Sequence, residues 1–162
     1  MAEVTVHELK GSLRSRHWAV ILKDINASRY LPMWISSFQA NAIAVQLAGA
    51  NVSRPLTHDL LKTVIQKGGA KVSHILINDL VDNVFYARII MDMAGRHIEI
   101  DSRPSDAIAL AVRTTVPILV DEAVMKRAAI TAQPATRNAV VKEEDKLAIF
   151  RDFIDSLDID DS

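Results

Sequence analysis

The spacing of hydrophobic and polar positions changes several times along the chain, and each change marks an element. Val4-Thr5-Val6-His7-Glu8-Leu9 alternates residue by residue, the period of a half-buried strand. His17 to Lys23 is more continuously apolar and suits a central strand, followed by a turn from Asp24 to Arg29. Tyr30-Leu31-Pro32-Met33-Trp34-Ile35 reads as a third strand, and Pro32, which donates no ladder hydrogen bond, favours a strand end or an edge. Ser36 or Ser37 can cap a helix running from Phe38 to Leu47 and stopping near Gly49.

The alternation continues through the middle of the chain. Thr57 is a plausible cap for a helix from His58 to Lys67, with Leu60, Leu61, Val64 and Ile65 as its apolar face and Gly68-Gly69 as its stop. Three strands follow, at Val72–Ile77, Val84–Met91 and Arg96–Ile100, the last two joined by a turn at Ala94-Gly95-Arg96. Pro104 opens a helix from Ser105 to Thr114, Pro117–Val120 is a short buried strand, and Asp121-Glu122 lead into a short helix ending near Ala129. Hairpins mixed with helical crossovers predict an α/β (α+β) fold: one compact domain, residues 1–130, with a mixed sheet and packed helices.

Beyond this domain the pattern changes again. Residues 131–142 read as a linker without apolar periodicity. Residues 143–158 predict an amphipathic helix with Leu147, Phe150, Ile154 and Leu157 as one stripe. That stripe is too short to be stable alone, so it needs its own domain, a second subunit or a partner to cover it. A symmetric homo-oligomer is the expected assembly.

Composition narrows the function classes. Hydrophobic content of 49% and charged content of 24% are ordinary for a globular protein. A net charge of −1 carries no overall basic field, so any contact with nucleic acid has to be local. With no cysteine there is no disulfide, zinc–thiolate site or cysteine nucleophile. No apolar run reaches the roughly 18 residues of a membrane span and the N-terminus does not read as a signal peptide, so a cytoplasmic protein without membrane contact is expected. GxGxxG, GxxxxGK[ST], GxSxG and HExxH patterns are all missing. The aromatic residues Trp18, Tyr30, Trp34, Phe38, Phe85 and Tyr86 are scattered among strands and read as core packing rather than a base-stacking platform.

Chemical density is concentrated in two blocks, Arg54-Pro55-Leu56-Thr57-His58-Asp59 and Arg103-Pro104-Ser105-Asp106. Each sets an Arg-Pro step at a helix start with an Asp close behind. The helix dipole alone accounts for either Asp. It does not account for the repeated Arg-Pro step or for His58, the one histidine inside a dense polar block. Arg, His and Asp at helix starts are the residue types that hold a phosphate, a metal or a water. The matched grammar predicts that the two blocks meet in the fold.

These blocks, with Leu31-Pro32-Met33-Trp34-Ile35, Asn78-Asp79-Leu80, Phe85-Tyr86-Ala87, Asp101-Ser102 and Pro117-Ile118, resemble the bifunctional nuclease domain family, formerly a domain of unknown function. The resemblance covers roughly residues 1–130. It implies a compact α/β fold and a nuclease acting on DNA, RNA or both. In that reading His58, Asp59 and Asp106 are catalytic, and Arg54, Thr57, Arg103 and Ser105 hold substrate. A divalent metal, magnesium or manganese, would sit on Asp59, Asp101 and Asp106. Where the family commonly has Gly and Glu, this chain has Ser36 and Gln39, which removes a charge. The alternative is a non-catalytic anion-binding or regulatory, oligomeric module of the bacterial cytoplasm, with the same arginines holding an anion and the acids serving as caps and ion pairs.

Overall fold

The computed structural model describes residues 1–11 and 16–131, so most of the expected linker and all of the C-terminal helix lie outside the described residues. Eight strands form one mixed sheet. They are β1 (Ala2–Gly11), β2 (Trp18–Asp24), β3 (Arg29–Ile35), β4 (Ala70–Val81), β5 (Val84–Met93), β6 (Arg96–Ser102), β7 (Ile118–Val120) and β8 (Ile130–Thr131). Four helices join them: α1 (Ser37–Leu47), α2 (Thr57–Lys67), α3 (Pro104–Thr114) and α4 (Glu122–Ala128). The sheet order is β6-β5-β4-β7-β1-β2-β3-β8, with β4 and β7 parallel and the other neighbours antiparallel. The expected α+β domain is therefore present.

The hairpins follow from local chemistry. Asp82 and Asn83 both take positive φ, as do Ala94 and Gly95, so each pair makes a tight two-residue connection whose twist matches its strands. Both long strands extend past their expected ends, and Asp79, read as a turn residue, lies within β4. β8 pairs only with Arg29 and Tyr30, which leaves β3 from Pro32 onward as an edge, as its proline requires.

The core sits between sheet and helices. Ala107, Ile108, Ala109, Leu110 and Ala111 of α3 are all buried, and α3 packs on α1, α2, β4 and β5. Its alanines let α1 and α2 approach on either side, which aligns the helix starts that carry the two polar blocks.

Three expectations need correction. The cap of α2 is Leu56, not Thr57: Thr57 is already helical, and the Leu56 N–H donates to Asp59 Oδ2 at 2.8 Å, so the third helical residue satisfies the terminus from inside. The apolar face of α2 is also narrower than its sequence suggests. Leu61 and Ile65 pack on the core, whereas Leu60 and Val64 are exposed, because the neighbouring α3 covers only one side of the helix. Among the aromatics, Trp18 is buried, but Trp34, Phe38 and Tyr86 are exposed. Strand alternation explains Trp34: its neighbour Met33 faces the core, so Trp34 faces out.

Candidate functional site

The starts of α2 and α3 bring His58, Asp106 and Arg103 together. His58 Nε2 lies 2.8 Å from Asp106 Oδ1, and Arg103 Nε donates to Asp106 Oδ2 at 2.7 Å. Local sequence fixes this arrangement. Pro104 occupies the first turn of α3, where its missing N–H costs nothing, and holds the preceding Arg103 extended at φ −67° and ψ 144°. Arg103 and Asp106 are then three residues apart, within reach of one another across the helix start.

Burial works against the charge of Asp106, but the hydrogen bonds from Arg103 and His58 outweigh it and hold the carboxyl below its ordinary pKa. Asp106 is therefore ionised at neutral pH and can only accept. The shared proton then belongs to His58 Nε2, and in the neutral ring Nδ1 is the basic nitrogen. Nδ1 has no hydrogen-bond partner among the described residues, and neither do the two terminal amino groups of Arg103, whose side chain is 67% exposed.

Asp59, next to His58 in sequence, meets different partners. Its Oδ2 accepts from Leu56 N and its Oδ1 from Arg113 Nε at 2.8 Å. The Arg113 side chain is only 2% exposed, and its Nη1 also donates to the carbonyls of Ala42 and Ala109. One arginine thus ties α1, α2 and α3 together. Desolvation again opposes the Asp59 charge, and the Leu56 and Arg113 hydrogen bonds prevail, lowering its pKa.

The remaining expected site residues divide. Arg54 is exposed and has no ion pair or hydrogen bond among the described residues. Thr57 is exposed at the first position of α2. Ser105 is buried in the first turn of α3. Asp101 is exposed on β6, in register with Arg88 of β5, and makes no bond to the cluster among the described residues.

Of the three acids expected to hold a divalent cation, Asp101 stands apart from the cluster, and Asp59 and Asp106 each pair with a different arginine, with all four of their carboxylate oxygens accepting hydrogen bonds. Gln39 does not occupy an acidic position in this set. Its Oε1 accepts from Ser36 N at 2.8 Å, and its own N–H donates to Ser36 Oγ, so Ser36 and Gln39 form a reciprocal cap on α1.

Arg103, Pro104 and Ser105 also form one wall of a groove of about 300 Å³. Trp34, Gln39 and Asn83 line it as well. Sequence reading did not single out Arg113 or Trp34. A basic residue in the last turn of a helix looks like an ordinary dipole partner, and only tertiary packing shows that Arg113 is buried. Alternation sets Trp34 on the face of β3 opposite Met33, but which of the two faces is covered emerges only from tertiary packing.

Comparison with known proteins gives the chain a family. The bifunctional nuclease domain family matches residues 20–133. An uncharacterized protein of Mycobacterium tuberculosis is 37% identical over 163 residues, covering 99% of this chain and 98% of its own length. Bifunctional nuclease 2 of Oryza sativa subsp. japonica is 28% identical over 126 residues, covering 75% of this chain and 39% of the rice protein. Bifunctional nuclease 1 of Arabidopsis thaliana is 26% identical over 110 residues, 65% of this chain and 34% of the plant protein. Both polar blocks and the central helix α3 fall inside the matched span, and on that match the chain belongs to the bifunctional nuclease domain family.

Proposed function

We propose that this protein hydrolyses phosphodiester bonds of nucleic acid at the His58–Asp106–Arg103 cluster. One observation carries the reading: a hydrogen-bonded base, orienting carboxylate and exposed guanidinium assembled from two helix starts far apart in sequence. The bifunctional nuclease names of the plant relatives support the same class of reaction.

Each residue then has a role. The terminal amino groups of Arg103 and the exposed Arg54 hold non-bridging phosphate oxygens and offset charge as it develops. His58 Nδ1 takes a proton from a water, or from a ribose 2′-hydroxyl in RNA, as that oxygen attacks phosphorus. The bond from phosphorus to the leaving oxygen breaks, and the leaving oxygen takes a proton from solvent. Asp106 fixes the ring tautomer and stabilises the imidazolium that forms. Asp59 serves the architecture through Arg113. No resident metal enters this scheme, because the carboxylates are committed to arginines.

The test is cleavage of end-labelled DNA and RNA oligonucleotides by highly purified protein, in EDTA and in magnesium, beside His58→Asn. The expected result is cleavage that persists in EDTA and falls at least ~10²-fold in the variant. Equal cleavage by both proteins would place the activity elsewhere. Cleavage that needs magnesium would mean that Asp106 exchanges its arginine for a cation. Binding without cleavage in either medium would favour the anion-binding module.

A further inference from the structure

Trp34 is the most exposed large apolar side chain among the described residues, at 79%. Exposing an indole this far leaves apolar area in water. Its partner across the ladder is Ala19, which offers almost no side chain to cover a ring. β8 ends its pairing at Arg29 and Tyr30, so among the described residues no strand lies beside Trp34 on its outer edge. The ring therefore stands at a bare sheet edge, beside the groove that Arg103 also lines.

Arg103 is shared between two places. Its Nε is committed to Asp106 in the cluster, and the residue also lines the groove with Trp34, Gln39, Asn83 and Ser105. A phosphate held by the terminal amino groups of Arg103 thus has an aromatic face and amide groups within the same recess. Gln39 Oε1 is occupied by the cap of α1, so its amide NH₂ is the part with unused hydrogen-bonding capacity. At about 300 Å³ the recess is at the small end of ligand sites, the scale of one nucleoside rather than a duplex. A base inside a duplex has both faces covered by its neighbours; only an unpaired base can offer a face to an indole.

We infer that this groove is a base-binding subsite for single-stranded nucleic acid, in which Trp34 stacks on the unpaired base next to the phosphate held at Arg103. The inference rests on the reading of the cluster as a phosphodiester site and adds the strand preference of that site. Charge complementarity comes from Arg103, and the aromatic face makes the site tolerant of base identity.

The experiment uses the full chain and a fluorescein-labelled phosphorothioate oligothymidylate, which resists cleavage, so that binding is read separately from catalysis. Trp34→Ala should weaken binding of the single strand roughly 5- to 100-fold, the range of losing one base–aromatic stack. Trp34→Phe should keep most of the affinity. The same oligonucleotide in a duplex should bind weakly and equally to wild type and variants. Indole emission of the wild type should be quenched by the single strand, and that quenching should vanish in Trp34→Phe, in which the buried Trp18 is the one indole left.

Unchanged single-strand affinity in Trp34→Ala, or quenching that persists in Trp34→Phe, would overturn the subsite. Should Trp34→Ala fail to fold, the Phe variant and the quenching decide alone. A Trp34→Ala protein that changes mass by light scattering while binding normally would make this face a contact between copies of the chain and would also overturn the inference. His58→Asn, run in parallel, separates the two readings: if it cleaves like wild type while Trp34→Ala loses binding, the catalytic assignment fails and the groove stands.

Discussion

Asp59 and Asp106 each occupy the third position of a helix, in α2 and α3, and each follows an Arg-Pro step. Their side chains are almost equally exposed, 30% and 28%. What separates them is the arginine each one meets. Asp59 pairs with Arg113, which is buried and also bound to two backbone carbonyls. Asp106 pairs with Arg103, which is largely in solvent with its terminal groups unused. A buried cation that must be neutralised makes its partner part of the scaffold. An exposed cation held by one edge stays available to an incoming anion. Exposure of the acid alone does not distinguish the two roles.

The largest expected effect is on stability. Arg113→Ala should lower the free energy of unfolding by about 3–5 kcal/mol, because the cost includes a half-buried Asp59 left without its partner and three helices left untied. Urea denaturation followed by circular dichroism measures it. Arg103→Ala should lower the same free energy by less than about 1 kcal/mol, as expected for an exposed pair. Equal losses in the two variants would erase the contrast between the regions.

Next in size is activity. Arg103→Ala should slow oligonucleotide cleavage about 10²-fold, the scale of removing one preorganised charge partner, and Arg103→Lys should recover only part of it because a lysine lacks the fork that serves Asp106 and a phosphate together. Initial rates at saturating substrate check this. Full activity in Arg103→Ala would remove the guanidinium from the mechanism.

A smaller effect is the dependence on pH. Both aspartates have folded-state pKa values below the ordinary 3.8. Their contribution to stability is therefore complete above that value and is lost as pH falls through the lowered ones. Asp59→Asn should flatten the acid limb of the stability curve at pH values below the ordinary aspartate value of 3.8. An acid limb identical to wild type would mean that Asp59 is not held by its partners in the folded state.

Much of this was legible before the fold was known. The two polar blocks, the proline-started α3, the edge character of β3 and the mixed sheet all follow from local grammar, because caps, prolines and alternation act over a few residues. Residues whose meaning depends on a distant neighbour were not legible in the same way. Arg113 reads as a dipole partner until α1 and α2 close over it. Asp59 and Asp106 read alike until their arginines are placed. Leu60 and Val64 fit an apolar face that tertiary packing covers on one side only, and Trp34 reads as core because strand patterns record alternation without saying which face lacks a cover.

The most direct test compares cleavage rates of Asp59→Asn and Asp106→Asn on one labelled single strand, at a temperature where circular dichroism shows both variants folded. The account predicts that Asp106→Asn loses ~10²-fold or more, because His58 loses the charge that orients its proton, while Asp59→Asn stays within a few-fold of wild type. The reverse order, with Asp59→Asn inactive and Asp106→Asn cleaving normally, would contradict it.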